Sequence, residues 1–198
     1  MVDRLGIYGG TFDPIHVGHL VAAVNVGYAL DLDRVLLVVA NEPWQKVGSR
    51  SISSARHRLA VVEAAVADLA GIEASGIEID RGGPSYTIDT VRVLAAAHPG
   101  AELFLVVGTD VADDLDTWEQ GPELASIVTL VVVNRPSAAR IDPAALPLWR
   151  IVEVEMPGLD ISSTDLRERI VDGRPLDFLI PEAAVRVLRS LRLYDRPG

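Results

Sequence analysis

The chain has 198 residues, 49% hydrophobic but only 5% aromatic, enough to bury a core of Val, Ile, Leu and Ala. Lys and Arg number 18 against 28 Asp and Glu; the net charge of −10 argues against a broad nucleic-acid-binding face. No cysteine excludes disulfides and thiol catalysis; no leader-like segment or long apolar run suggests export or membrane insertion, so a cytoplasmic protein with no membrane or nucleic-acid partner is expected.

Residues 5–8 read as a buried strand, followed by Gly9, Gly10, Thr11 and a Phe-Asp-Pro turn. His16 and His19 come next, and residues 20–30 read as a helix. Residues 34–40 are a second buried strand, 41–50 a polar loop, and 53–70 a serine-capped helix closed by Gly71. Residues 72–79 alternate loosely and read as a strand, 81–84 as a turn and 87–97 as a helix. Two more buried strands, 102–108 and 126–134, flank a loop with a short helix at 110–124. Residues 138–148 read as irregular and 150–155 as a last strand, with closing helices at 164–172 and 181–191. Near-continuous Val/Ile/Leu strands predict a parallel sheet covered on both faces. The expected fold is a Rossmann-like doubly wound α/β sheet, one domain over residues 1–198. Ligands in such folds sit beyond the carboxyl ends of the strands, where the segments after residues 10, 40, 108 and 134 converge.

The stretch LGIYGGTFDPIHVGH carries the most chemistry. Gly9 and Gly10 lack a Cβ, so a polyphosphate can approach the backbone, and a helix start offers N–H groups and a favourable dipole. His16 and His19, three apart, can face one phosphate as donors. Zinc is disfavoured because there is no cysteine and no clear third ligand, and the dinucleotide and P-loop fingerprints are absent. ISSTDLRERI, from Ile161, offers either a capping box of Ser162 with Asp165 or an anion site. In the second case Ser162 and Ser163 hydroxyls, helix N–H groups and the Arg167 guanidinium meet phosphate. GGPSYTIDT is a Gly-Pro turn into a helix capped by Ser85 or Thr87. Gly108-Thr109-Asp110 ends a strand, and an Asp there can hold ribose hydroxyls while Trp118 can stack on a flat aromatic ring. Arg56, His57 and Arg58 read mainly as a solvated face.

As a unit, GGTFDPIHVGH resembles the (T/H)xGH signature of the nucleotidyltransferase superfamily, in the form found in bacterial nicotinate-mononucleotide adenylyltransferases. The resemblance implies adenylyl transfer from ATP, carrying Mg²⁺, to nicotinate mononucleotide, with release of pyrophosphate; no protein-held metal is implied, and a homo-oligomer is left open. It implies catalytic roles for His16, His19 and Arg167. The ATP site would comprise Gly9, Gly10, Thr11, Phe12, Gly18, Gly108 and Asp110 around the histidines. Asn134 and Arg135 would lie near the adenine, and Ile161, Ser162, Ser163 and Arg167 by the phosphates. The acceptor would meet Thr11, with Tyr86 and Thr87 receiving the nicotinate carboxylate, Trp118 stacking on its ring and Lys46 reaching its phosphate. Trp-Gln precedes Lys46 where the family usually has PHK, so Trp44 either covers the substrate or shields the loop. Two alternatives stay open. Phosphopantetheine adenylyltransferase shares the logic but tends to begin PGSFDP and lacks SYTIDT; a non-catalytic nucleotide sensor would share the binding residues without turnover.

Overall fold

The computed structural model describes residues 3–43, 52–109, 115, 118–134 and 146–195. The strands are β1 (Arg4–Gly10), β2 (Arg34–Val39), β3 (Ile72–Ser75), β4 (Glu102–Gly108), β5 (Val128–Asn134) and β6 (Arg150–Glu155). The described helices are α1 (Val17–Ala29), α2 (Ala55–Val66), α3 (Ile77–Arg81), α4 (Thr87–Ala97), α5 (Gly121–Ile127), α6 (Ser163–Asp172) and α7 (Glu182–Ser190). The strands form one sheet in the order β3-β2-β1-β4-β5-β6, with every pair parallel. This is the Rossmann-like doubly wound architecture that the strand pattern predicts.

The apolar runs are continuous because both faces of the sheet are covered. In β2, Val35, Leu37 and Val39 enter a core shared with α2 and α7, while Leu36 and Val38 enter one shared with α4 and α5. On the other half, Ala22 and Val26 of α1 pack over Phe104, Val106, Val131 and Val154.

The strand order reverses between β1 and β4. β1 stays paired with β2 through Gly10↔Val39, but with β4 only through Ile7↔Leu105. Beyond that pair the two central strands part at their carboxyl ends, and a crevice opens there.

The first helix starts earlier than expected, at Val17, and the second is shorter, Ala55–Val66 against 53–70; two further elements differ in kind. Residues 72–79 do not form one strand: β3 stops at Ser75 and α3 follows. The register partner of Ser75 is Val38, one residue from the end of β2, so the edge strand runs out of pairing. The Ser75 hydroxyl then accepts the Ile77 N–H at 3.4 Å, and Glu78, expected on a strand, is buried on a helical turn. Residues 126 and 127 belong to the end of α5 rather than to β5. The Ser126 hydroxyl donates to the Glu123 carbonyl at 2.7 Å, which holds that last turn.

Candidate active site

The crevice is a cleft of about 1010 Å³, lined by residues from β1, β4 and the starts of α1, α4 and α6. That lies at the upper end of ligand-pocket volumes, about 300–1,000 Å³, so it has room for more than one nucleotide. Three helix N-termini open into it, which concentrates partial positive charge in a chain of net charge −10.

Its floor is the end of β1. A Cβ on Gly9 would meet no atom within 4 Å and would project into open space. A Cβ on Gly10 would lie 2.7 Å from the Phe12 ring, so glycine is needed for that ring to fold back. Phe12 has φ 49°, the left-handed region costly for a side chain, and its buried ring packs edge-on against His19 with centroids 5.1 Å apart. Thr11 lines the same wall.

His16 is the N-cap of α1, with extended backbone, so the helix begins at Val17 and His19 sits in its first turn rather than opening it. The two imidazoles stack with centroids 3.7 Å apart and planes at 28°. The His16 backbone N–H donates to His19 Nδ1 at 3.2 Å. Accepting there puts the proton of a neutral His19 ring on Nε2, where it is a donor. A Cβ on Gly18 would lie 3.0 Å from His16 Nδ1, closer than an ordinary contact, so any side chain there would push the His16 ring by a few tenths of an ångström.

The start of α6 faces this turn from the far end of the sequence. Ile161, Ser162, Ser163 and Arg167 all line the cleft with His16 and His19. Arg167 Nη1 donates to the Asp13 carbonyl at 2.8 Å and Nη2 to the Thr164 hydroxyl at 3.0 Å. Ser163 Oγ donates to the Pro14 carbonyl at 2.9 Å. Ser162 Oγ accepts the Asp165 N–H at 3.1 Å, so it does cap the helix. The capping box is only half made, because the Asp165 carboxylate turns to Arg169 at 2.6 Å instead. That hydrogen bond holds the Asp165 carboxyl below the usual aspartate range.

A further wall of the cleft is built by the loop before α4. Neither Ser85 nor Thr87 caps the helix as expected: Tyr86 is the N-cap, and Ser85 Oγ accepts the Asn41 N–H at 2.8 Å. Asn41 Nδ2 donates to the Gly83 carbonyl at 2.9 Å, so the end of β2 is laced to the turn into α4. Positive φ at both Gly82 and Gly83 makes that turn. Tyr86, Thr87 and Trp118 all line the cleft, and Tyr86 and Trp118 pack against one apolar cluster beneath it. Below, Thr90 Oγ1 donates to buried Glu78 at 2.6 Å and anchors α4 to α3.

Gly108 and Thr109, at the end of β4, also line the cleft. Asn134 is buried at the end of β5 and is not among the residues lining the cleft. Its side chain accepts from Thr109 Oγ1 at 3.1 Å and donates to Glu153 at 2.7 Å, so it ties β4, β5 and β6 together. Trp44, Lys46, Asp110 and Arg135 lie outside the described residues.

One reading of the sequence is overturned. Arg58 is not part of a solvated face but is 1% exposed. Its guanidinium donates from Nε to Ser53 O at 2.9 Å, from Nη1 to Thr11 O at 2.6 Å, and from Nη2 to Ala40 O at 2.6 Å and Asn41 O at 3.2 Å. Four carbonyls from three segments therefore share one cation, and the loops on both sides of β1's end are held by it. Its neighbour Arg56 is exposed and pairs with Asp80 at 3.1 Å, as a surface residue does. Position on α2 is the only local signal that separates them: Arg58 shares the inward face with Val61, Val62 and Ala65.

The cytidylyltransferase-like family model matches residues 7–169. A Roseiflexus protein carrying the name probable nicotinate-nucleotide adenylyltransferase is 44% identical, over 96% of this chain and 97% of its own. A Streptomyces coelicolor protein of the same name is 43% identical, over 94% of this chain and 98% of its own. The fold is similar to that of the Plasmodium falciparum nicotinic acid mononucleotide adenylyltransferase complexed with NaAD. There the TM-score is 0.79 at 19% identity, with 97% of each chain covered.

Proposed function

The chain belongs to the nicotinate-nucleotide adenylyltransferase family, and from that premise we propose that its cleft joins nicotinate mononucleotide to ATP, giving nicotinate adenine dinucleotide and pyrophosphate. The observation that carries the residue roles is the convergence of His16, His19 and Arg167 on one cleft, from ends of the chain about 150 positions apart.

The nucleophile is a phosphate oxygen of the acceptor mononucleotide, anionic at neutral pH, so no general base is required. It attacks the α-phosphorus of ATP in line; a new P–O bond forms and the bond to the bridging oxygen breaks. Aligning two charged reactants supplies about 7–11 kcal/mol in favourable cases. His19 Nε2–H and His16 donate to phosphate oxygens, where negative charge builds as pyrophosphate leaves, and each preorganised donor contributes about 3–4 kcal/mol. The N-terminus of α6 and Arg167 hold the polyphosphate from the opposite side. Gly9 leaves the backbone open to it.

Among the described residues no three His, Asp or Glu side chains gather as metal ligands. The imidazole, guanidinium and hydroxyl donors that line the cleft suit phosphate oxygens, and Mg²⁺ enters with ATP as part of the substrate, neutralising charge on the triphosphate. At the other end, the first turn of α4 at Tyr86 and Thr87 receives the nicotinate carboxylate, because a helix N-terminus favours an anion over a neutral amide. Trp118 covers the ring and Lys46 meets the acceptor phosphate. We place the reaction in the cytoplasm; among the described residues no helix is long and apolar enough to cross a membrane.

The test is pyrophosphate release from Mg²⁺ATP with nicotinate mononucleotide, nicotinamide mononucleotide or phosphopantetheine as acceptor. The nicotinate substrate is expected to give the highest kcat/KM. Equal rates for acid and amide would overturn the carboxylate site, and release with phosphopantetheine alone would overturn the acceptor assignment. No release with any acceptor would overturn catalysis itself.

A further inference from the structure

The chain after α7 returns to the turn that carries the histidines. Tyr194 Oη donates to Asp13 Oδ1 at 2.5 Å, a contact between residues 181 apart. Asp13 is 1% exposed, so its carboxylate is withdrawn from water although it lines the cleft meant for polyanions. A buried carboxylate is tolerated only with donors close by. Burial among apolar side chains pushes the Tyr194 phenol above its ordinary range, so it remains a protonated donor.

The backbone of this tail is strained at two positions. Arg192 and Tyr194 have φ of 51° and 68°, left-handed conformations that cost a side chain free energy. Leu193 between them is buried in the core shared with α2 and α7, and Tyr194 packs against the same core. The tail is thus inserted in one geometry, and that geometry aims the phenol at Asp13.

Other groups from the carboxyl-terminal third reach the same stretch of chain. Arg167 takes the Asp13 carbonyl, Ser163 takes the Pro14 carbonyl, and the Val17 N–H donates to the Leu179 carbonyl at 2.9 Å. Of these contacts only Tyr194 grips a side chain of the turn rather than its backbone. Asp13 stands three residues before His16 and six before His19.

We infer that Tyr194 is a positioning residue for adenylyl transfer: through Asp13 it fixes the Phe12–Pro14 turn, and with it the stacked His16–His19 pair. This rests on the reaction proposed above. The phenol touches no reactant in this account. It sets where two donors stand when charge moves onto the leaving pyrophosphate, so its loss falls on kcat and spares ground-state binding.

Tyr194→Phe removes one oxygen and keeps the ring in the core. Steady-state pyrophosphate release, normalised to the folded fraction from near-UV circular dichroism, is expected to show kcat lower by about tenfold, with KM for ATP within about twofold. Asp13→Asn and the double variant complete a cycle. If the phenol acts through Asp13, the double variant loses no more than the worse single one; multiplying losses would overturn the inference. A kcat for folded Tyr194→Phe within twofold of the unsubstituted protein would also overturn it. The His19 Nδ1 resonance in nitrogen-15 NMR gives a reading that needs no turnover, since that atom accepts the His16 N–H only while the pair is in place. It is expected to shift in Tyr194→Phe, and an unmoved resonance would refute the positioning role. Should the unsubstituted chain release no pyrophosphate, the reaction proposed above fails, and the resonance alone decides for or against Tyr194.

Discussion

Arg58→Met tests how much of the cleft's framework hangs on one buried cation. Methionine keeps the unbranched stem but removes the guanidinium, and with it four hydrogen bonds to carbonyls of Ser53, Thr11, Ala40 and Asn41. A buried acceptor left without its donor costs about 1–3 kcal/mol. The Ala40 contact is fully buried and falls near the top of that range, while water can partly replace the guanidinium at the three part-buried carbonyls. Bonds sharing one ion do not add fully, so the expected loss is about 4 kcal/mol. A domain is held by about 5–15 kcal/mol, so the variant still folds at room temperature. At about 2–4 °C per kcal/mol for a chain of this size, Tm falls by about 8–16 °C. Urea denaturation should show a lower midpoint at unchanged slope, since the surface exposed on unfolding is the same. Turnover should fall as well, because Thr11 and Ala40 line the cleft. Arg58→Lys, a point charge without the fork, is expected to recover only part of the loss. A Tm within about 2 °C of the unsubstituted protein, corresponding to less than about 1 kcal/mol, would refute the claim that the guanidinium holds these loops together.

Further outcomes follow from the same geometry. His19→Ala should leave the circular dichroism spectrum unchanged and lower kcat by at least about a hundredfold; wild-type-like turnover would remove the histidine from the mechanism. Gly18→Ala puts a Cβ 3.0 Å from His16 Nδ1 and pushes that ring by a few tenths of an ångström, so kcat should fall by about three- to tenfold without unfolding; unchanged kcat would show that the exact stack is not needed. Tyr194 keeps its proton in the folded chain to a higher pH than its ordinary value of 10.0. Above that pH the unfolded chain binds fewer protons than the folded one, so stability is fully present below about 10 and falls as pH rises. Urea midpoints from pH 8 to 11 should show the decline, and Tyr194→Phe should flatten it. A decline equally steep in the variant would assign it to other groups.

The sheet and most helices were legible from local pattern. Thr87–Ala97, Glu102–Gly108 and Arg150–Glu155 have the boundaries expected of them, because apolar runs and helix stops act within a few residues. The departure at α3 was not legible, since the end of β3 depends on where its neighbour β2 runs out. Ser162 shows why two readings of one residue need not compete: it caps α6 and stands at the cleft wall at once. Arg58 shows the opposite case. Beside Arg56 and His57 it looks like one more surface charge, and only its place on the inward face of α2 makes it a buried anchor.

Sequence by itself determined the alternation of apolar strands and capped helices, the glycines at strand ends, and the residue types able to donate to phosphate, all of which follow from chain geometry within a few positions. Tertiary structure alone decided which of those donors share a cleft, that β1 and β4 part to open it, and that Arg58 and Tyr194 reach across the fold to brace its walls. Such contacts join residues as far as 181 positions apart, and a local pattern carries no record of a partner that only folding brings near.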